Sequence, residues 1–173
     1  MKAVMMQSGK LWVDDIALPE PQDGEVLVRT CACGICGTDL HAVKHTSALI
    51  ETSRAVGGGF KLTTENPVVL GHEFCADIVD FGPRTRRKLP VGQLVCSVPV
   101  LLRAETVGLG YSDQAPGGFG EYMVLSEAML NPVPSGVSAD QAALTEPLAV
   151  GRHAVAKAGL QGSEEILVVG CGP

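Results

Sequence analysis

Gly34-Ile35-Cys36-Gly37-Thr38-Asp39-Leu40-His41 sets a thiol, a hydroxyl, a carboxylate and an imidazole within six residues, directly after an apolar, strand-like run. A second polar knot, Gly71-His72-Glu73, interrupts another apolar run further along. Thiolate, imidazole and carboxylate are all ligands of zinc. Cys36 and His72 stand 36 positions apart, so no local periodicity joins them; only the fold can. Each alone has a bland explanation. A cysteine after a strand packs as a small core residue, and a histidine beside a glutamate is often a surface pair. Their coincidence, two glycine-led polar insertions at strand ends with compatible ligands, points to one metal ion between them.

Outward from these knots, the first part of the chain reads as strands. Lys2 to Met6 and Leu11 to Ala17 are short β-type runs around Ser8-Gly9-Lys10, and Pro19, Pro21 and Asp23-Gly24 make a turn. Glu25 to Cys33 alternates Val26, Val28 and Thr30 with Leu27 and Arg29, the period of a strand. Cys31 and Cys33 are two apart in it and are expected on one face. Asp39 to Val43 forms one helical turn. Lys44 to Asn66 loses its period, and Gly57-Gly58-Gly59 predicts a mobile loop there. Phe74 to Phe81, Val91 to Val100, Phe119 to Leu125 and Met129 to Val133 read as further strands, and Leu101 to Pro116 as loop. Many short strands punctuated by Gly and Pro give a mostly β fold, a small barrel or sandwich.

The last part changes character. Ser138 with Gln141 three residues on is a capping box that opens a helix. Pro147 fits the first position of a second helix running to Gly159, since its missing N–H costs nothing there. Ile166-Leu167-Val168-Val169 is apolar on both faces, as a buried parallel strand is, and leads to Gly170-Cys171-Gly172-Pro173.

Composition excludes several functions. Hydrophobic content of 46% with 18% charged residues marks a folded globular chain. A formal net charge of −6 argues against nucleic acid, whose phosphates need clustered positive charge. The basic cluster Arg84, Arg86, Arg87 and Lys88 sits between Pro83 and Pro90 and reads as a solvated turn. No apolar stretch approaches the ~20 residues of a spanning helix, and Met1 to Met6 is too short for a signal-peptide core. The chain is therefore expected to avoid membranes and to reside in the cytoplasm, its six cysteines serving as ligands or core residues rather than disulfides.

Three motifs in order, Gly-Ile-Cys-Gly-Thr-Asp-x-His, Gly-His-Glu entering a strand, and Thr145-Glu146-Pro147-Leu148-Ala149 followed by a strand and Gly-x-Gly, resemble the zinc-dependent branch of the medium-chain dehydrogenase/reductases. This is the alcohol, polyol and sugar dehydrogenase family. The resemblance implies a GroES-like β-barrel catalytic domain over residues 1–147 and the truncated start, one helix and one strand, of a Rossmann-type α/β domain over residues 148–173.

The resemblance also implies roles. Cys36 and His72 become ligands of a catalytic zinc, and Glu73 and Glu146 carboxylates that bind it or stand beside it. Thr38 is expected to hydrogen-bond the substrate oxygen, His41 to end a proton relay to solvent, and Asp39 to orient the zinc-bound histidine. Gly170 and Gly172 become the first glycines of a dinucleotide loop for NAD or NADP. For Glu146, the residue before a proline is held extended, which would project its carboxylate from a helix junction. Local capping also explains Thr38 and Asp39, and a helix-start charge also explains Glu146. His45 reads as a loop residue and His153 as an ordinary helix histidine.

The family often carries a four-cysteine lobe that binds a structural zinc. Between Val95 and Glu121 this chain has Cys96 alone, so no structural zinc is expected. The implied function is oxidation of a small alcohol, polyol or sugar to a carbonyl by hydride transfer, in a full-length protein that forms homo-oligomers, with this piece alone inactive. Ile166 to Val169 is expected to pack on the barrel or pair with another copy. A non-catalytic GroES-like module, or a zinc hydrolase or lyase, uses the same residues differently; the first binds no zinc, and the second has no use for Gly170-x-Gly172.

Overall fold

The computed structural model describes residues 1–58 and 60–170. Strand β1 (Lys2–Gln7) turns through Ser8 and Gly9, both at positive φ (48° and 81°), into β2 (Lys10–Asp15). Two positive φ values match the right-handed twist of a hairpin, so Ser8-Gly9 sets the register that pairs Gln7 with Lys10. The other edge of β1 takes β4 (Val68–Val69), between which and β2 lie the long strand β3 (Glu25–Gly34) and helices α1 (Gly37–Lys44) and α2 (Thr46–Ala55).

A second sheet forms around β3. It pairs with β5 (Glu73–Phe81) on one side and β9 (Tyr122–Ser126) on the other, and β6 (Leu94–Ser97) and β10 (Leu130–Pro132) extend it beyond β5. Val26, Val28, Ile78, Val95, Met123 and Leu125 fill the core between its faces. The two sheets are sewn together where the chain approaches β9: the Val4 N–H donates to the Phe119 carbonyl, and the Glu121 N–H to that of Lys2. This is the mostly β fold with a few helices that the residue pattern predicts.

Several expectations need correction. Residues 44–66, read as loop, contain helix α2, and α1 is two turns rather than one. Helix α2 buries Thr46, Ile50 and Ser53, which share a helical face, but two of the three are small and polar and leave almost no hydrophobic period. The Thr46 hydroxyl also donates to the Ala42 carbonyl at 2.6 Å, tying the two helices together. Of the expected glycine loop, Gly59 lies outside the described residues.

Residues 91–100 do not form one strand. Pro99 breaks the run, and β7 (Val100–Leu102) folds back on β8 (Thr106–Gly108) as a hairpin within the stretch read as loop. Cys31 and Cys33 do not share a face: the register between β3 and β5 slips between Thr30 and Ala32, so the bulge leaves Cys31 exposed while Cys33 is half-buried.

The Ser138–Gln141 capping box is present, with each side chain bonded to the other's backbone N–H, and opens α3 (Ala139–Ala143). Helix α4 (Thr145–Ala158) starts earlier than expected, making Pro147 its third residue; that N–H has no intrahelical partner either, so proline is still tolerated. Gly159 closes α4 at φ 64°. Ile166 to Val169 form no strand and are 63–88% exposed, so they do not pack on the sheets. Among the described residues no neighbouring strand takes their hydrogen bonds, and apolar residues alone do not make a strand. No helix among the described residues is long and apolar enough to cross a membrane.

One buried ion pair pins the long excursions to the core. Arg103 meets Glu25 through two bonds, Nε to Oε1 at 2.7 Å and Nη2 to Oε2 at 3.2 Å, and donates to the Gln114 carbonyl. Glu25 is only 2% exposed, and its Oε2 also accepts the Gln22 N–H at 2.9 Å. Arg103→Ala is expected to cost about 3–5 kcal/mol, since it strands a buried carboxylate, while Glu25→Gln with Arg103→Met recovers most of the loss. Urea unfolding followed by circular dichroism checks this; a single-variant loss near zero would show that the pair holds nothing.

Candidate metal centre

Two strand ends meet at the centre of the site. Gly34 closes β3 directly opposite Glu73, the first residue of β5. A Cβ at Gly34 would collide with the Glu73 carboxylate, so glycine is what lets that carboxylate lie across the strand end. Gly71 takes φ +97°, and a Cβ there would stand 2.9 Å from the Phe119 nitrogen. That left-handed bend presses the chain against residues 117–119 and turns His72 inward. Beyond Gly34, the chain reaches Cys36 and enters α1, where Asp39 reaches back to accept the Cys36 N–H at 3.0 Å.

These turns bring together residues distant in sequence. Cys36, His72 and Glu73 each offer one ligand atom, all within 4.8 Å of one another, the one such group of three among the described residues. Ligands of a tetrahedral zinc lie about 2.0–2.3 Å from the metal and hence roughly 3.3–3.8 Å apart, so a small contraction suffices. His72 is oriented for it. Its Nδ1 lies 3.3 Å from Asp39 Oδ1 and 3.2 Å from the Tyr111 hydroxyl, which leaves Nε2 as the nitrogen available to a metal. The Tyr111 hydroxyl donates to Asp39 Oδ1 at 3.0 Å. A thiol, an imidazole and a carboxylate with a supported histidine fit zinc.

Electrostatics agree with that arrangement. Burial pushes the Asp39 carboxyl up, but the bond and charge of His72, the Cys36 N–H and the Tyr111 hydroxyl outweigh it, and the group lies below its ordinary value. For His72, burial pushes down and the Asp39 carboxylate pushes up more strongly, helped by Glu146 and Glu73; the net is upward. The Cys36 thiol is raised, by burial first and by neighbouring Glu73 as well, against the hydrogen bonds of Thr38. The surroundings that raise the Cys36 thiol oppose its ionisation, which coordination to a metal would drive outright.

The remaining expected residues divide. Thr38 stands in the first turn of α1 with its hydroxyl 3.7 Å from Cys36 Sγ, and it lines a cleft of ≈ 320 Å³ together with His72, Tyr111 and Glu146. Glu146 is helical, in the first turn of α4, not extended as its following proline suggested; α3 and α4 meet at Leu144 and carry it to the cleft. It is not among the three mutually close ligands. Its carboxyl is raised by burial first and by Glu73 and Asp39 next, against the pull of His72. His41 lies one turn after Thr38 on the exposed side of α1. Gly170 is exposed at φ +89°, and Gly172 lies outside the described residues. Cys96, the one cysteine where a four-cysteine lobe would sit, is buried and donates to the Ala142 carbonyl at 3.1 Å.

Tyr111 escaped the sequence reading. It follows Gly110 in a stretch without period, and its ring stacks on Phe60 with centroids 4.2 Å apart. A lone tyrosine in an apparent loop carries no local signal of a buried hydroxyl.

The alcohol dehydrogenase GroES-like domain model matches residues 22–135. The chain is 32% identical over its whole length to (R,R)-butanediol dehydrogenase of Bacillus subtilis, covering 52% of that protein. It is 33% identical to L-galactonate-5-dehydrogenase of Escherichia coli over 90% of this chain and 45% of that one. Among solved structures, acetophenone reductase from Geotrichum candidum in complex with NAD superposes with a TM-score of 0.75 at 26% identity, over 94% of this chain and 48% of the other. The chain spans about half the length of the curated relatives it matches.

Tyr111→Phe keeps the stack on Phe60 and removes only the hydroxyl. Zinc affinity, measured by competition with a chromophoric chelator, is expected to fall about 10–100-fold with little loss of thermal stability. Unchanged affinity would mean that the hydroxyl does not orient His72.

Proposed function

The chain belongs to the alcohol dehydrogenase GroES-like family, and from that premise we propose that it is the catalytic portion of a zinc-dependent, NAD(P)-linked dehydrogenase that oxidises a small alcohol, polyol or sugar to a carbonyl. The observation that carries this reading is the convergence of Cys36, His72 and Glu73 at one point beside a cleft. Residues 1–147 would form the catalytic domain and 148–173 the beginning of the nucleotide-binding domain, where Gly170 and Gly172 would approach NAD or NADP. The whole protein would work in the cytoplasm, as a homo-oligomer.

Zinc held by Cys36 and His72, with Glu73 or Glu146 as the carboxylate ligand, would supply Lewis-acid polarisation of the substrate oxygen. The chain's own groups do the rest. Thr38 Oγ1, in the cleft beside Cys36, accepts a hydrogen bond from the substrate hydroxyl and takes its proton toward solvent, with His41 one turn along α1 as the exposed acceptor. Asp39 and Tyr111 hold the His72 ring so that Nε2 faces the cleft. Hydride transfer would require a nicotinamide on the open side of that cleft. With Cys96 the one cysteine between Val95 and Glu121, the reading is one catalytic zinc and no structural one.

Full-length protein is expected to carry one zinc per chain and to oxidise alcohols with NAD or NADP, and Cys36→Ala or His72→Ala to lose both. Metal analysis alongside an activity screen decides it. Wild-type metal content and turnover in either variant would reject the proposal.

A further inference from the structure

Strand β2 ends the three-stranded sheet, and among the described residues no strand pairs with its outer side. Its six residues are all exposed, and the middle three, Leu11, Trp12 and Val13, are apolar. The other sheet edges are blunted. Strand β4 has two residues, β7 and β8 have three each, β10 ends in Pro132, and β9 is buried from Met123 to Ser126. On β2 neither a proline nor a bulge breaks the run, which pairs with β1 in one register from Lys2–Asp15 to Gln7–Lys10.

The backbone shows which groups that edge offers. The Ile16 N–H donates to the Met1 carbonyl at 2.9 Å, and the Met1 amino group to the Ile16 carbonyl at 2.8 Å. In an antiparallel ladder every second residue faces the same neighbour. Asp14, Trp12 and Lys10 therefore turn their N–H and C=O groups toward β1, and Leu11, Val13 and Asp15 turn theirs outward. Asp14 Oδ1 accepts the Asp15 N–H at 2.9 Å, so the free donors and acceptors are those of Leu11 and Val13.

Lys10-Leu11-Trp12-Val13-Asp14 is complementary to its own reverse. Set antiparallel around Trp12, Leu11 of one copy falls opposite Val13 of the other, with their outward groups in bonding register. Lys10 falls opposite Asp14 at both ends, an opposite-charge pair. Trp12 meets its own copy in the closer, non-hydrogen-bonded position, where aromatic pairs add stability beyond burial. An axis at Leu11 sets Lys10 against Trp12, and one at Val13 sets Trp12 against Asp14. Neither pairs the charges.

We propose that two copies of this chain associate through β2, joining their edges antiparallel around Trp12 into one continuous sheet. Leu11 and Val13, 55% and 67% exposed in the single chain, then lie side by side on one face of it. The contact is isologous: each copy gives the same strand, the two-fold closes on itself, and no edge is left for a third copy. No residue of β2 belongs to the metal centre, so the inference stands independently of the function proposed above.

Analytical ultracentrifugation of the 173-residue chain is expected to show a reversible dimer. Lys10→Glu sets like charges opposite each other at both ends and is expected to raise the dimer dissociation constant about tenfold. Adding Asp14→Lys to it restores opposite charges and is expected to return the constant to the wild-type range. Both positions are exposed, so the circular dichroism spectrum stays unchanged in each variant. Trp12→Cys puts two thiols across the axis at a Cα separation of about 4.5 Å, within disulfide reach. Oxidised glutathione, which takes up the two electrons and two protons of the thiol pair, is expected to convert that variant to a covalent dimer. Leu11→Cys, whose thiols are not opposite each other, is expected to stay uncrosslinked. A chain that is monomeric throughout the micromolar range, a dimer indifferent to Lys10→Glu, or Leu11→Cys crosslinking as readily as Trp12→Cys would each overturn the inference.

Discussion

One buried carboxylate ties the site together. Asp39 is 2% exposed, and its oxygens meet three parts of the chain: the Cys36 backbone, the His72 ring and the Tyr111 hydroxyl. Those partners come from the loop after β3, the turn before β5 and the long excursion between β8 and β9. An unpartnered carboxylate at that depth would be costly, so the partners stabilise it and it in turn fixes them. The same contacts that satisfy Asp39 present one face of His72 to the cleft and hold Cys36 at the mouth of α1. Folding of the site and its chemistry thus depend on one group.

The sheets supply what that carboxylate needs. Strand β3, paired on both sides, sets Gly34 against Glu73, and the missing side chain at Gly34 makes room for the glutamate. Gly71 at positive φ lets the chain bend where residues 117–119 press against it. Both glycines stand at polar knots because backbone geometry, rather than flexibility, is the constraint there. The Glu25–Arg103 pair then anchors the excursion that carries Tyr111, through the bond from Arg103 to the Gln114 carbonyl. Support of this kind around a metal ligand matters because a small loss of orientation costs affinity and activity together.

Much of this was legible in the residues, for physical reasons. The alternation in Glu25 to Cys33, the turn at Ser8-Gly9 and the Ser138–Gln141 box are local signals, and each describes the local structure that forms. Cys36, His72 and Glu73 could be named as candidates because their chemistry is distinctive, though their convergence depends on pairing between β3 and β5. Helix α2 was hidden because its buried face is mostly Thr and Ser. Tyr111 was hidden because its partners are 72 and 39 residues away. Glu146 misled in conformation: a proline next in sequence disfavours helix, but in the first turn of α4 that preference is overridden. Ile166 to Val169 are exposed and form no strand, because hydrophobicity reports what a segment would bury, while a strand also needs a neighbour to bond.

The central claim is a single metal centre built from sulfur, nitrogen and oxygen donors of distant residues. X-ray absorption at the zinc edge of the zinc-loaded chain addresses it most directly. The account predicts one sulfur neighbour at about 2.3 Å with the remaining neighbours nitrogen and oxygen at about 2.0–2.2 Å, including the multiple-scattering signature of one imidazole. A shell without sulfur, or one dominated by several sulfurs, would contradict it.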